Sequence, residues 1–284
     1  MKTQIACIPC IMRQAYNTAI RVTNDTETLR EIMNETADFV KTIDMDQSPA
    51  DSSNFAYKTV SRITGAHDPY YHDKRRSNDL CLSFLPELRE KIEKTKDPLY
   101  ATIKASIFGN IIDLGIGQEV DIAREITRIF DEKLAIDDYA AFKLLNESGR
   151  KKILYLGDNA GEIVFDRLLI EKLVERHDIT FTVKSGPVIN DATMDDARHV
   201  GMTDIVRVIE TGSDGIGVQW STVSEEFMVN YRSSDVILSK GQGNFETMNG
   251  KKGTIFFLLK AKCDCVAEEL GVRFGDIVFK VSKK

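Results

Sequence analysis

Three short stretches combine glycine, lysine and hard oxygen donors in a way that suits metal-assisted phosphate chemistry. They are Gly157-Asp158-Asn159-Ala160-Gly161-Glu162, Lys184-Ser185-Gly186-Pro187-Val188-Ile189-Asn190-Asp191 and Lys240-Gly241-Gln242-Gly243-Asn244-Phe245-Glu246. Glycines on both sides of Asp158 and Asn159 let the backbone turn sharply while two side-chain oxygens project. Each stretch alone has a plainer explanation. Asp158, Asn159 or Asp191 could simply cap the helix that follows, and Gly241-Gln242-Gly243 could be an ordinary turn. Three such stretches, each directly after an apolar run, are harder to explain as three coincident caps. Oxygen ligands without Cys or His select a magnesium-like ion that keeps several waters and also contacts phosphate. Lys184 and Lys240, with glycine N–H groups, would neutralise the phosphate oxygens.

Other chemistries lack their parts. Histidine occurs four times, as His67, His72, His177 and His199, and never on the three glycine stretches. No Gly-x-Ser-x-Gly elbow and no Walker phosphate loop is present. A glycine loop after a first strand also suits an S-adenosylmethionine-dependent methyltransferase, but here it reads Gly-Asp-Asn-Ala-Gly rather than Gly-x-Gly-x-Gly. The five cysteines include two pairs, Cys7-x-x-Cys10 and Cys263-x-Cys265. If the chain ends meet, the four sulfurs could form a second metal or redox site, and with it a cysteine-based sensor. Equally, Cys7 and Cys10 lie on an amphipathic stretch and could be buried core thiols.

The elements that must position these stretches fall into two halves. Residues 1–150 read as helical nearly throughout, from apolar spacing over 5–21, 28–43, 54–63, 80–92, 100–112 and 122–130. From residue 151 the pattern changes. Short apolar runs at 152–156, 179–183, 205–209, 236–238, 255–259 and 277–281 read as strands, with helical segments at 163–174 and 192–199. Alternating strands and helices predict an α/β fold: a Rossmann-like, doubly wound, mostly parallel sheet with an all-helical N-terminal portion. The expected division is a helical domain over 1–150 and an α/β domain over 151–284. Ligands of such sheets bind beyond the carboxyl ends of the strands, where the three stretches stand. Thirteen of the 18 glycines fall after residue 150.

Composition narrows the partners. The 284 residues carry a net charge of -6 and 42% hydrophobic residues, so neither disorder nor a basic nucleic-acid module is expected. Lys74-Arg75-Arg76, a tight basic cluster, reads as a solvated helix face. The sequence shows no apolar stretch of the ~18 or more residues a membrane helix needs and no recognisable signal segment. A cytoplasmic protein without membrane or nucleic-acid partners is expected. The stretch from Gly212 to Ser224 around Trp220, rich in small residues, reads as a surface connection, with a mobile loop over the site as the alternative.

Together the three stretches resemble the metal-dependent damage-control phosphatases, long known as domain of unknown function eighty-nine. Asp68-Pro69-Tyr70 and Ser106-Ile107-Phe108-Gly109-Asn110-Ile111-Ile112-Asp113 extend the resemblance into the helical half. Cys7-x-x-Cys10 looks like the branch of that family found largely in archaea and some other microbes. The resemblance implies a divalent metal (magnesium, manganese, cobalt or nickel) held by Asp158, Asn159 and Asp191, with Lys240, Asn244 and Lys262 lining a phosphate site. It also implies hydrolysis of phosphomonoesters of small metabolites, such as sugar phosphates and damaged or overflow intermediates. Asp158 could attack phosphorus or only bind metal. Asn110 and Asp113, one helical turn apart, could face the substrate or form a helix-terminal pair.

Overall fold

The structure is a computed structural model that describes residues 1–109 and 122–283. In the first half, α1 (Cys7–Ala19), α2 (Thr26–Lys41) and α3 (Pro49–Thr64) precede α4 (Tyr71–Glu93), α5 (Pro98–Phe108) and α6 (Ile122–Asp131). A two-residue strand β1 (Ile136–Asp137) and α7 (Tyr139–Glu147) complete it. The second half alternates: β2 (Lys152–Leu156), α8 (Glu162–Leu173), β3 (Asp178–Val183), α9 (Met194–His199), β4 (Arg207–Glu210), α10 (Glu225–Ser233) and β5 (Val236–Lys240). It ends with α11 (Gln242–Met248), β6 (Thr254–Lys260), α12 (Asp264–Leu270) and β7 (Ile277–Lys283).

The strands form one sheet in the order β1-β7-β6-β5-β2-β3-β4, parallel except for the β6–β7 pair. From β2 the chain runs outward through β3 to β4, then returns to place β5 on the opposite side of β2. The strand order therefore reverses between β2 and β5. A crevice opens at such a point because successive crossovers leave on opposite faces. The glycine stretches after β2 and β5 flank it.

Side chains alternate across the sheet with period two. Ile153, Tyr155, Val236, Leu238, Phe256 and Leu258 share a core with α4, α5 and α8, which supply Phe84, Phe108 and Phe165. Leu154, Leu156, Ile237, Ile255, Phe257 and Leu259 face Phe227, Phe245 and Val266 on the other side. Burial on both faces explains why these strands read as continuous apolar runs. The helices α1, α2 and α3 enclose a small core of their own around Ile11, Ile32 and Val60.

The α/β class and mostly parallel sheet agree with the expectation, and several boundaries do not. Ser48 caps α3 by accepting from Asp51 N, with Pro49 in the first turn, so this helix starts well before Asn54. Helix α4 starts at Tyr71 rather than Leu80. Its first turns lack an apolar stripe because buried Lys74 and Asn78 occupy the inward positions. Lys74 is thus not part of a solvated face, a correction to the reading of the basic cluster. Strand β1, inside residues 1–150, pairs with β7 and joins the sheet of the second half. No described helix is long and apolar enough to cross a membrane.

Candidate metal and phosphate site

The first site loop follows directly from β2. Gly157 N donates to Thr182 O at 3.1 Å, which keeps the chain in the sheet for one more residue. A side chain there would strike the Phe181 ring, so glycine is required. At the other end Gly161 turns with φ +81°. Between them, Asn159 pairs with Asp191 as an isolated antiparallel bridge. Ala160 N donates to Asn190 O and Ala192 N to Asp158 O, both at 2.8 Å. These two bonds zip the loop after β2 to the loop after β3 and bring Asp158, Asn159 and Asp191 together. Asn159 Nδ2 also donates to Asp158 Oδ2 at 3.0 Å.

The loop after β5 closes the third side. Gly241 has φ +78°, and a methyl group on it would fall inside the Asp158 carboxylate. Its missing side chain is what lets the two loops approach. Asn244 is buried, and its Nδ2 donates to Gly157 O at 2.9 Å and to Lys240 O at 2.8 Å. This amide ties the ends of β2 and β5 together, so its two donors are already used. In this position the amide braces the ends of the two strands.

The lysines divide the same way. Lys240 is fully buried and contacts Glu162 Oε1, Asp166 Oδ1 at 2.5 Å and Ser106 O at 2.8 Å. Its three N–H donors are accounted for by these three acceptors. Lys184 stands at the end of β3, bonded to Gly217 O and 3.6 Å from Asp191 Oδ2. Lys262 lies close enough to Asp158 to hold that carboxyl down electrostatically. Asn110 and Asp113 lie outside the described residues.

Electrostatics mark the site. Burial raises Asp158, opposed by Lys262, Lys184 and Lys240. Burial also pushes Asp191 up to about 7, with Lys184 opposing and Asp158 reinforcing the rise. Two carboxylates that destabilise each other in a dry place are what a divalent cation relieves. Asp191 Oδ2 is buried and accepts no hydrogen bond. With two carboxylates and one amide oxygen donor, the set suits a hard divalent ion that retains waters. The residues therefore fit the metal that the motifs imply.

Sequence reasoning missed part of the surroundings. Glu162 and Asp166, one turn apart on α8, both face inward against Lys240, and burial raises Glu162 to about 8. Asp166 Oδ1 also accepts from Ser106 Oγ at 2.7 Å and Tyr155 Oη at 2.8 Å. An acidic pair at i and i+4 beginning inside the first stretch was the available signal. The Gly212–Ser224 stretch is no simple surface connection. Ile216 N donates to Asn54 Oδ1 at 2.8 Å, Val218 N to Thr247 Oγ1 at 2.9 Å, and Gly217 O takes the Lys184 ammonium.

The cysteine pairs adjoin. Burial and the neighbouring Cys7 and Cys263 thiols push Cys265 up to about 12. Gln242 Nε2 donates to Cys263 Sγ at 3.4 Å and Gln14 Nε2 to Cys10 Sγ at 3.4 Å. Among the described residues, no three Cys, His, Asp or Glu side chains are grouped as a metal ion would group them.

Comparison with known proteins identifies a phosphatase family. Residues 3–278 match the damage-control phosphatase ARMT1-like domain. A damage-control phosphatase of Pyrococcus horikoshii is 35% identical over 284 residues, covering 98% of this chain and 97% of its own. A damage-control phosphatase of Archaeoglobus fulgidus is 32% identical over 289 residues, covering 99% of each chain. The crystal structure of a DUF89 family protein from Pyrococcus horikoshii superposes with a TM-score of 0.93 at 34% identity, over the full length of both chains. With the strand order, the oxygen-donor cluster and these matches in agreement, the chain belongs to the damage-control phosphatase family.

Proposed function

We propose that the phosphatase depends on a divalent metal, magnesium, manganese, cobalt or nickel, and hydrolyses phosphomonoesters of small metabolites. The observation that supports this most is the Asn159–Asp191 bridge, which gathers three oxygen side chains around a buried Asp191 oxygen that accepts no hydrogen bond. Asp158, Asn159 and Asp191 would hold the ion. When bound, it supplies Lewis-acid polarisation of a phosphoryl oxygen. Lys184 and Lys262 add positive charge where the phosphoryl oxygens gain negative charge in the transition state. Lys240 offsets part of the negative charge of Glu162 and Asp166, which lessens their repulsion of an incoming phosphate. The net charge of -6 suits a small anion guided by local lysines better than a nucleic-acid backbone. Membership of a phosphatase family displaces the methyl-transfer reading.

The decisive experiment is phosphate release from a panel of sugar phosphates and related monoesters with each of the four metals. Activity with at least one metal is expected, lost by roughly 10²–10³-fold in Asp158→Asn and Asp191→Asn with the fold retained. Inactivity with all four metals would overturn the proposal.

A further inference from the structure

A buried polar chain crosses from the helical half to both loops that present the oxygen donors. On α4, Asn78 Oδ1 accepts from Gly161 N at 2.6 Å, and Asn78 Nδ2 donates to Asp196 Oδ1 at 2.9 Å. The other Asp196 oxygen takes Thr193 N and Thr193 Oγ1, both at 2.9 Å, and Lys74 Nζ at 3.3 Å. Lys74 is also 2.8 Å from Asp68 Oδ2. Asn78 is fully buried, and Lys74 and Asp196 are each 3% exposed. An N–H on one side and a carboxylate on the other admit only one orientation of the Asn78 amide.

The two ends of this chain are not arbitrary. Gly161 closes the turn that carries Asp158 and Asn159, and its buried N–H needs an acceptor, which Asn78 supplies. Thr193 lies two residues after Asp191 and pairs with Lys184 across an isolated bridge. One amide on α4 thus spans the loop after β2 and the loop after β3. We infer that Asn78, oriented by Asp196 and Lys74, is a positioning residue that sets the distance between Asp158 and Asp191 and so the affinity of the site for its divalent ion. This rests on the metal-dependent reading proposed above. The inference assigns the helical half a part in the chemistry without any contact to the reacting atoms.

Asn78→Asp tests it. The new carboxylate still accepts from Gly161 N but faces Asp196 with like charge. Outer partners of metal ligands commonly hold roughly 10–100-fold in affinity or activity. We expect the apparent manganese Kd, read by calorimetry, to weaken about tenfold or more, with a similar fall in kcat/KM for p-nitrophenyl phosphate. The double variant Asn78→Asp/Asp196→Asn exchanges donor and acceptor, keeps the net charge, and should return both values to within about threefold of the wild type. A merely structural role predicts a lowered Tm with unchanged manganese affinity. That result, or a double variant no better than the single one, overturns the inference. Should Asn78→Asp fail to fold, Asn78→Ser with amide exchange at Gly161 replaces it. Faster exchange with weakened manganese binding supports the inference, and faster exchange with unchanged binding overturns it. Wild-type protein that binds manganese but releases no phosphate refutes the phosphatase proposal alone. Wild-type protein that does neither refutes both.

Discussion

Two buried lysine–carboxylate clusters both act on Asp158 and are finished differently. Around Lys240 every ammonium hydrogen is used, and Asp166 Oδ1 collects donors from Ser106, Tyr155 and Lys240. Asp166 Oδ2 is left without a partner, yet its carboxylate is already well neutralised. Around Lys184 the ion pair is longer, at 3.6 Å, and the Asp191 oxygen it faces accepts no hydrogen bond. Both places are dry and both hold opposite charges. The difference shows that burial of charge does not by itself mark a functional centre. What sets the Lys184 cluster apart is its longer ion pair and an Asp191 carboxylate held beside Asp158 by the bonds between the two loops.

Three variants sharpen that contrast. The largest effect is expected from Gly241→Ala. Its methyl would displace the Asp158 carboxylate and strain a backbone at φ +78°, so activity should fall by about 10²-fold or more with a smaller loss of stability. Activity within threefold of wild type would show that the loop after β5 does not fix Asp158. Next, Lys240→Met leaves Glu162 and Asp166 buried without a counter-charge. Removing one partner of a buried pair costs about 3–5 kcal/mol, read as a shift in the urea midpoint. Lys184→Met, assayed in saturating metal, should lose less stability and more activity. The reverse ranking would erase the distinction between the two clusters.

The smallest effect concerns Glu246, a buried carboxylate whose neighbouring positive charge is the α-amino group of Met1. Burial raises it to about 7, against a hydrogen bond from Gln242 that lowers it. A carboxyl whose folded pKa lies above its unfolded value contributes stability that is present below about pH 4.5 and lost as pH rises through about 7. Glu246→Gln keeps an acceptor for Gln242 and removes the titration. It should flatten the decline between pH 5 and 8 and add about 1–3 kcal/mol at pH 8. An unchanged pH profile of the urea midpoint would contradict this.

Much of the site was legible because its pieces sit where strands end. An apolar run followed by glycine and an oxygen side chain is a local signal, and Asp158, Asn159 and Asp191 carry it. The direction in which Lys240 and Asn244 point is not local. It depends on Glu162, Asp166 and the carbonyls of neighbouring strands, which the chain order does not place side by side. Lys74 and Asn78 escaped for a related reason. Helices are recognised by apolar stripes, and here the inward stripe is polar. The Gly212–Ser224 stretch looked like surface because small residues suit loops, yet its backbone groups bond to Asn54 and Thr247 from distant helices. Strand β1 has two residues, too few for any periodicity to register.

That short strand has a consequence of its own. Ile136 and Asp137 pair with Val278 and Phe279, covering the outer side of β7. On α7, Phe142 meets Phe256 and Phe279 edge-on, with ring centroids 5.2 and 5.6 Å apart. Cutting the chain at residue 150 would strip away both. The remaining sheet would end in an unpaired edge beside an uncovered aromatic patch, a template for self-association. The segment just before the sheet therefore acts as its selvedge, and the α/β half is finished only by residues that precede it.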